Sequence, residues 1–69
     1  MNERDIFING AALQTQASTL QALLLERGFA MDAAFACAVN NTFVPRGLWS
    51  QQPLHSGDRV DVVAPITGG

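Results

Sequence analysis

The sequence predicts an α+β domain in which a single helix packs across one mixed sheet of four to five strands. Three observations carry that prediction. Asn9-Gly10 lies between two short strand-like segments and is the strongest local signal for a tight hairpin, because both turn positions favour positive φ. Leu20, Leu23 and Leu24 repeat at i, i+3 and i+4, one stripe of a 3.6-residue period. Further along, apolar segments are punctuated by Asn40-Asn41 and by Ser56-Gly57-Asp58. A hairpin, a crossing helix and a returning hairpin form one sheet with a helix on one face.

Each element has its own signal. Residues 5–9 read as the first strand and 11–15 as its return, with Leu13 the inward residue. Ser18-Thr19-Leu20-Gln21 matches a capping box, with either Ser18 or Thr19 as the cap. Gly28 suits the left-handed position after the helix, and Phe29 is placed to fold back on Leu24. Arg27 in the last turn complements the helix dipole. Leu25 falls off the stripe, at the core margin or in solvent. Residues 35–40 alternate larger and smaller apolar side chains, as suits a strand covered on both faces. Asn40-Asn41 turns the chain into a short partner strand, 42–44, stopped by Pro45. Residues 46–58 read as irregular, ending in the Ser56-Gly57-Asp58 turn. The last strand spans 59–64, and Pro65 ends its ladder because it has no N–H. Residues 1–64 are thus expected to form one domain, and 65–69 a flexible C-terminal tail.

Composition narrows the function classes. Sixty-nine residues make one small domain, near the lower end of what folds without staples. A single cysteine, Cys37, excludes an internal disulfide, and no Cys/His cluster has zinc-ligand spacing, so no metal is expected. With 48% apolar and 14% charged residues, the chain has the balance of a packed core rather than of a disordered segment. Net charge is −2, and Arg4, Arg27, Arg46 and Arg59 are scattered, which argues against nucleic acid as a partner. No run approaches the ~18 apolar residues of a membrane span. The charged start, Met1-Asn2-Glu3-Arg4-Asp5, lacks the apolar run of a secretory leader. A cytoplasmic protein, monomeric when free, is the expectation.

The ending, Val62-Val-Ala-Pro-Ile-Thr-Gly-Gly69, is chemically pointed. Five residues after the last strand, from Pro65 on, can reach about 17 Å when extended. Gly68 and Gly69 have no Cβ, so they can thread a narrow channel. Behind Ile66, Thr67 and Gly68 stands the Gly69 α-carboxylate, ionised at neutral pH because a free chain terminus titrates at about 3.3–3.7. A carboxylate able to enter a partner's active site is a substrate handle.

The element order with its Gly-Gly ending resembles the β-grasp, or ubiquitin-like, fold. Over essentially its whole length the chain is similar to the ThiS family of sulfur carriers in thiamine thiazole biosynthesis. The matching stretches are Asn9-Gly10, Thr19-Leu20 with Leu23-Leu24, Ala38-Val39-Asn40, Gly57-Asp58-Arg59-Val60 and Gly68-Gly69. The run Val44-Pro45-Arg46-Gly47-Leu48-Trp49 is the most particular to it. Ser56 stands where an acidic residue is usual, and the tail contains Pro65.

The resemblance implies a carrier that catalyses nothing itself and binds no cofactor of its own. A ThiF-like adenylating enzyme would use ATP and magnesium to convert the Gly69 carboxylate to an acyl-adenylate. A persulfide sulfur donor would displace AMP and leave a Gly69 thiocarboxylate, whose sulfur passes to a ThiG-like thiazole synthase. Two relatives of the fold share such a tail: the small subunit of molybdopterin synthase, and ubiquitin-like modifiers joined to protein lysines. The Val-Pro-Arg-x-x-Trp run is not a signature of the first. The chain contains no lysine, so the second could not extend itself through its own side chains. Freedom from lysine would also limit self-acylation by an activated terminus, although compositional drift in a small protein explains it equally well.

The remaining candidates are less pointed. Val63 and Ile66, apolar and close to the tail, are expected at a partner interface. Arg46 either meets an acidic partner surface or covers the sheet edge. Trp49 either caps the small core, the reading favoured for so large an amphipathic ring, or helps present the tail region to a partner. Cys37, mid-strand among apolar neighbours, reads as inert core filler, and His55 as a solvated loop residue.

Overall fold

The first turn adopts the conformation its two residues favour. In the computed structural model, which describes residues 3–30 and 32–63, Asn9 and Gly10 take φ of 48° and 86°. They join β1 (Arg4–Ile8) to β2 (Ala11–Thr15), paired antiparallel with Ile6 opposite Leu13. Ile6 is fully buried and Leu13 half-buried against the core, as an inward residue should be. Thr15 is buried and satisfied: its hydroxyl donates to Glu26 Oε1 at 2.7 Å and accepts from the Ala17 N–H at 3.0 Å.

Thr19, not Ser18, caps α1 (Leu20–Glu26), its Oγ1 accepting from the Ala22 N–H at 3.2 Å. Gln21 therefore stands one position too early to reach back, and the reciprocal half of the capping box is not formed. Such a cap contributes about 1 kcal/mol. The helix ends as the sequence predicts. Gly28 has φ of 88°, and the N–H groups of Gly28 and Phe29 donate to Leu25 and Leu24 carbonyls at 3.1 and 2.9 Å, a Schellman ending. Arg27 is the C-cap, just past the last turn rather than within it. Leu20, Leu23 and Leu24 are completely buried, and Leu25 is exposed.

Asn40 and Asn41, with φ of 52° and 68°, join β3 (Ala36–Val39) to β4 (Thr42–Val44). The expectation that β3 is covered on both faces is corrected. Cys37 and Val39 are buried, whereas Ala36 is exposed and Ala38 half-buried. One helix covers one face only, and the alanines belong to the other.

Residues 46–58 are also more regular than expected, because Arg46–Gln51 form a 3₁₀ helix started by Pro45 at φ −58°. Its Trp49 is buried, and residues 52–54 then run beside the start of α1. There the Leu20 N–H donates to the Gln52 carbonyl and the Leu54 N–H to the Ser18 carbonyl, at 2.9 and 3.0 Å.

The Gly57 turn, with φ of 93°, launches β5 (Arg59–Val63). This strand enters the middle of the sheet, giving the order β2-β1-β5-β3-β4, parallel to β1 and antiparallel to β3. The expected mixed sheet of four to five strands under one helix is observed, with five strands. Ala64 and Pro65, the predicted end of the last strand, lie outside the described residues. So do Ile66, Thr67, Gly68 and Gly69.

Candidate functional site

The described chain ends at Val63, on the central strand of the sheet, so the site is built from what surrounds that point. β1 stops at Ile8, and the main chain turns away at Asn9 before it can pair with Val62. The Asn9 side chain takes over. The Val62 N–H donates to Asn9 Oδ1 at 2.8 Å, and Asn9 Nδ2 donates to the Val62 carbonyl at 3.3 Å. On the other side β3 continues, with Cys37 opposite Val62 and Ala36 opposite Val63. The start of β5 is held equally well. The Asp58 carboxylate accepts from the Asn40 side chain at 3.0 Å and from the His55 N–H at 2.8 Å, and Asn40 Oδ1 accepts from the Arg59 N–H at 3.0 Å.

Period-two alternation sorts β5 between two environments. Val60 and Val62 face the helix, whereas Arg59, Asp61 and Val63 lie on the open face. Val63 is 62% exposed and stands across from Ala36; one step along, Ala38 lies between Asp61 and Phe43, itself 64% exposed. Val63, Ala36, Ala38 and Phe43 thus form a low apolar strip beside the point where the last six residues begin. Ala34, Phe35 and Arg46 enclose a shallow depression with Val63 and Ala36.

Arg46 lies at the sheet edge, exposed, with internal partners of its own. Its guanidinium donates to the Ala33 and Phe35 carbonyls at 2.6 and 3.1 Å and lies 4.5 and 5.2 Å over the Trp49 and Phe35 rings. It ties the segment leading into β3 to the sheet edge and borders the depression. Trp49 takes the core position, the favoured of its two readings. It is 2% exposed, its indole N–H donates to the Val44 carbonyl at 2.9 Å, and its ring packs 5.0 Å from Phe35. Its bulk fills the core, and its face is not offered to a partner.

Cys37 is buried in that core, and desolvation pushes its thiol above the ordinary range, with Arg46 opposing only in part. A protonated, enclosed thiol is a poor nucleophile. His55 is an exposed loop residue, 3.9 Å from the Asp58 carboxylate. Among the described residues no set of three His, Cys, Asp or Glu side chains is gathered for a metal, and no helix is long and apolar enough to cross a membrane.

Two features escape a reading of the sequence alone. Phe43 is legible only as the outward member of a three-residue alternation. The Asn9 contact is not legible at all, because its partner is 53 residues away and meets it only once β5 is inserted beside β1.

The comparisons with known proteins agree with this architecture. The model of the ThiS family matches residues 3–69. The chain is 34% identical over 64 residues to the sulfur carrier protein ThiS of Escherichia coli K12, covering 93% of this chain and 97% of that one. Its fold is similar to the crystal structure of the thiamine biosynthesis protein ThiS from Geobacter metallireducens, with a TM-score of 0.80 and 18% identity. That likeness covers 94% of this chain and 99% of that one.

Proposed function

The chain belongs to the ThiS family, and from that premise we propose that it carries sulfur for thiamine biosynthesis on its Gly69 carboxylate. The observation that carries the reading is the family match, which runs through the Gly68-Gly69 pair. The carrier is a co-substrate of its partner enzymes rather than a catalyst.

The chemistry follows from what a carboxylate lacks. Its oxygen is a poor leaving group, so it must be activated. A ThiF-like partner binding ATP and magnesium lets a Gly69 oxygen attack the α-phosphorus, and pyrophosphate leaves. The terminal sulfur of a persulfide donor then attacks the acyl carbon of the adenylate, and AMP departs with the former carboxylate oxygen. A second thiol cleaves the resulting acyl disulfide, which releases the thiocarboxylate and forms a disulfide on the donor side. A ThiG-like synthase takes the sulfur from that terminus. Throughout, the domain's task is to be recognised and to present one chain end.

Intact-mass analysis tests this reading after the protein is mixed with ATP, magnesium, an adenylating partner and a sulfur source. The expected product is heavier by the difference between sulfur and oxygen, with the change at Gly69. An unchanged mass, or sulfur found on Cys37, would refute it.

The apolar strip is the surface we assign to the partners, with Val63 at its end nearest the last six residues. Complete burial of such a side chain is worth about 1.5–3 kcal/mol, and a carboxylate there adds a desolvation cost. Val63→Asp is expected to weaken binding to the adenylating enzyme at least tenfold in a titration, with the far-ultraviolet circular dichroism and melting curve retained, because Val63 is already exposed. Unchanged affinity would remove Val63 from the interface.

A further inference from the structure

We propose that Asn9 is a positioning residue for the reactive terminus: its carboxamide stands in for the strand segment that β1 lacks and holds β5 at Val62. The inference rests on the carrier reading above, and it adds a residue that acts through another rather than touching the reacting atoms. The main-chain ladder between β1 and β5 includes Phe7 N–H to the Asp58 carbonyl at 3.0 Å and Asn9 N–H to the Val60 carbonyl at 2.9 Å. The next rung would fall at Val62, where β1 has already turned into its hairpin. A carboxamide has the same donor and acceptor as a peptide group, and Asn9 spends both on Val62, at 3.3 and 2.8 Å. The left-handed φ of 48° is what directs the side chain of a turn residue back along β5, and Asn tolerates that conformation.

Val62 lies seven residues before Gly69. Fixing its backbone on both sides, by Asn9 and by β3, sets where the last residues start and limits fraying of β5 from its end. A partner that must receive Gly69 in a narrow site then orders fewer residues on binding, and this pre-organisation is felt as affinity. Once the terminus is seated, the partner holds it, so the effect belongs in KM rather than in kcat.

The experiment compares Asn9→Gly and Asn9→Asp with wild type. Glycine keeps the positive-φ turn and removes the carboxamide. Aspartate keeps an acceptor for the Val62 N–H but sets an oxygen against the Val62 carbonyl. Two readouts are taken: amide hydrogen exchange at Val62, and ATP–pyrophosphate exchange by the adenylating enzyme at varied carrier concentration. In Asn9→Gly Val62 is expected to exchange faster while the β3 amides stay protected, whereas Asn9→Asp, which keeps the acceptor, is expected to change Val62 exchange less. KM for the carrier should rise up to about thirtyfold, the factor that two hydrogen bonds of ordinary net strength amount to, with kcat close to wild type. A wild-type KM in either variant, or unaltered Val62 exchange in Asn9→Gly, overturns the assignment. Absence of pyrophosphate exchange with the wild-type carrier would instead sink the carrier reading, and this inference with it.

Discussion

Deleting Gly68 and Gly69 is expected to abolish thiocarboxylate formation while leaving thermal unfolding unchanged. Among the described residues the buried apolar core runs from Ile6 to Val60, and two glycines have no side chain to add to it. The proposed chemistry, by contrast, depends on them wholly. A more demanding variant adds one alanine after Gly69. The reactive carboxylate then moves about 3.3–3.6 Å along the chain and sits on a residue bearing a Cβ. Misplacement by about 1 Å can cost a factor of 10² in rate, so this single addition is expected to slow adenylation at least a hundredfold. Intact mass against time measures it. An extended chain thiocarboxylated at the wild-type rate would show that the partner does not measure the position of the terminus, and the mechanism would fail.

Local signals are legible wherever the physics is local. Asn9-Gly10, Asn40-Asn41, Gly28 and Gly57 all adopt the positive φ that marks them as turns or caps. The leucine stripe is the buried face of α1. Sequence and structure part where a neighbour distant in the chain decides the outcome. Nothing within residues 35–40 tells that their alanines will lie on the open face; this follows from there being a single helix to cover the sheet. The 3₁₀ helix has no period to announce it, and Pro45 reads equally as a strand stop and as a helix start. At the site, the terminus proposed to react is named by its chemistry. The strip that adjoins it requires the register of β3, β4 and β5, and the Asn9 contact requires the parallel insertion of β5.

Trp49 carries the second large effect. Trp49→Ala is expected to leave the domain largely unfolded at 37 °C. Truncating a buried aromatic to alanine costs about 3–5 kcal/mol. A domain of this length holds a total of roughly 3–10 kcal/mol at the usual ~0.05–0.15 per residue. Here the loss is compounded. Phe35 loses one of its two ring partners, Arg46 loses one of the two rings beneath its guanidinium, and the Val44 carbonyl loses the indole N–H. Arg46 in turn holds the Ala33 and Phe35 carbonyls, so the segment leading into β3 loosens with it. Trp49→Phe separates these contributions, because it keeps an aromatic ring and removes the N–H. Losing one buried hydrogen bond of ordinary net strength costs about 1 kcal/mol, and the smaller ring adds to that loss. At about 4–8 °C per kcal/mol for a domain of this size, the phenylalanine variant should melt at least several degrees below wild type yet remain folded. Circular-dichroism melts of both proteins decide the matter. A wild-type melting temperature for Trp49→Ala together with lost affinity for the adenylating enzyme would place Trp49 at the interface after all. A folded but destabilised Trp49→Phe carrier that is still adenylated would confine the residue to the core, and would leave the open face beside Val63 as the surface on which partners read this chain.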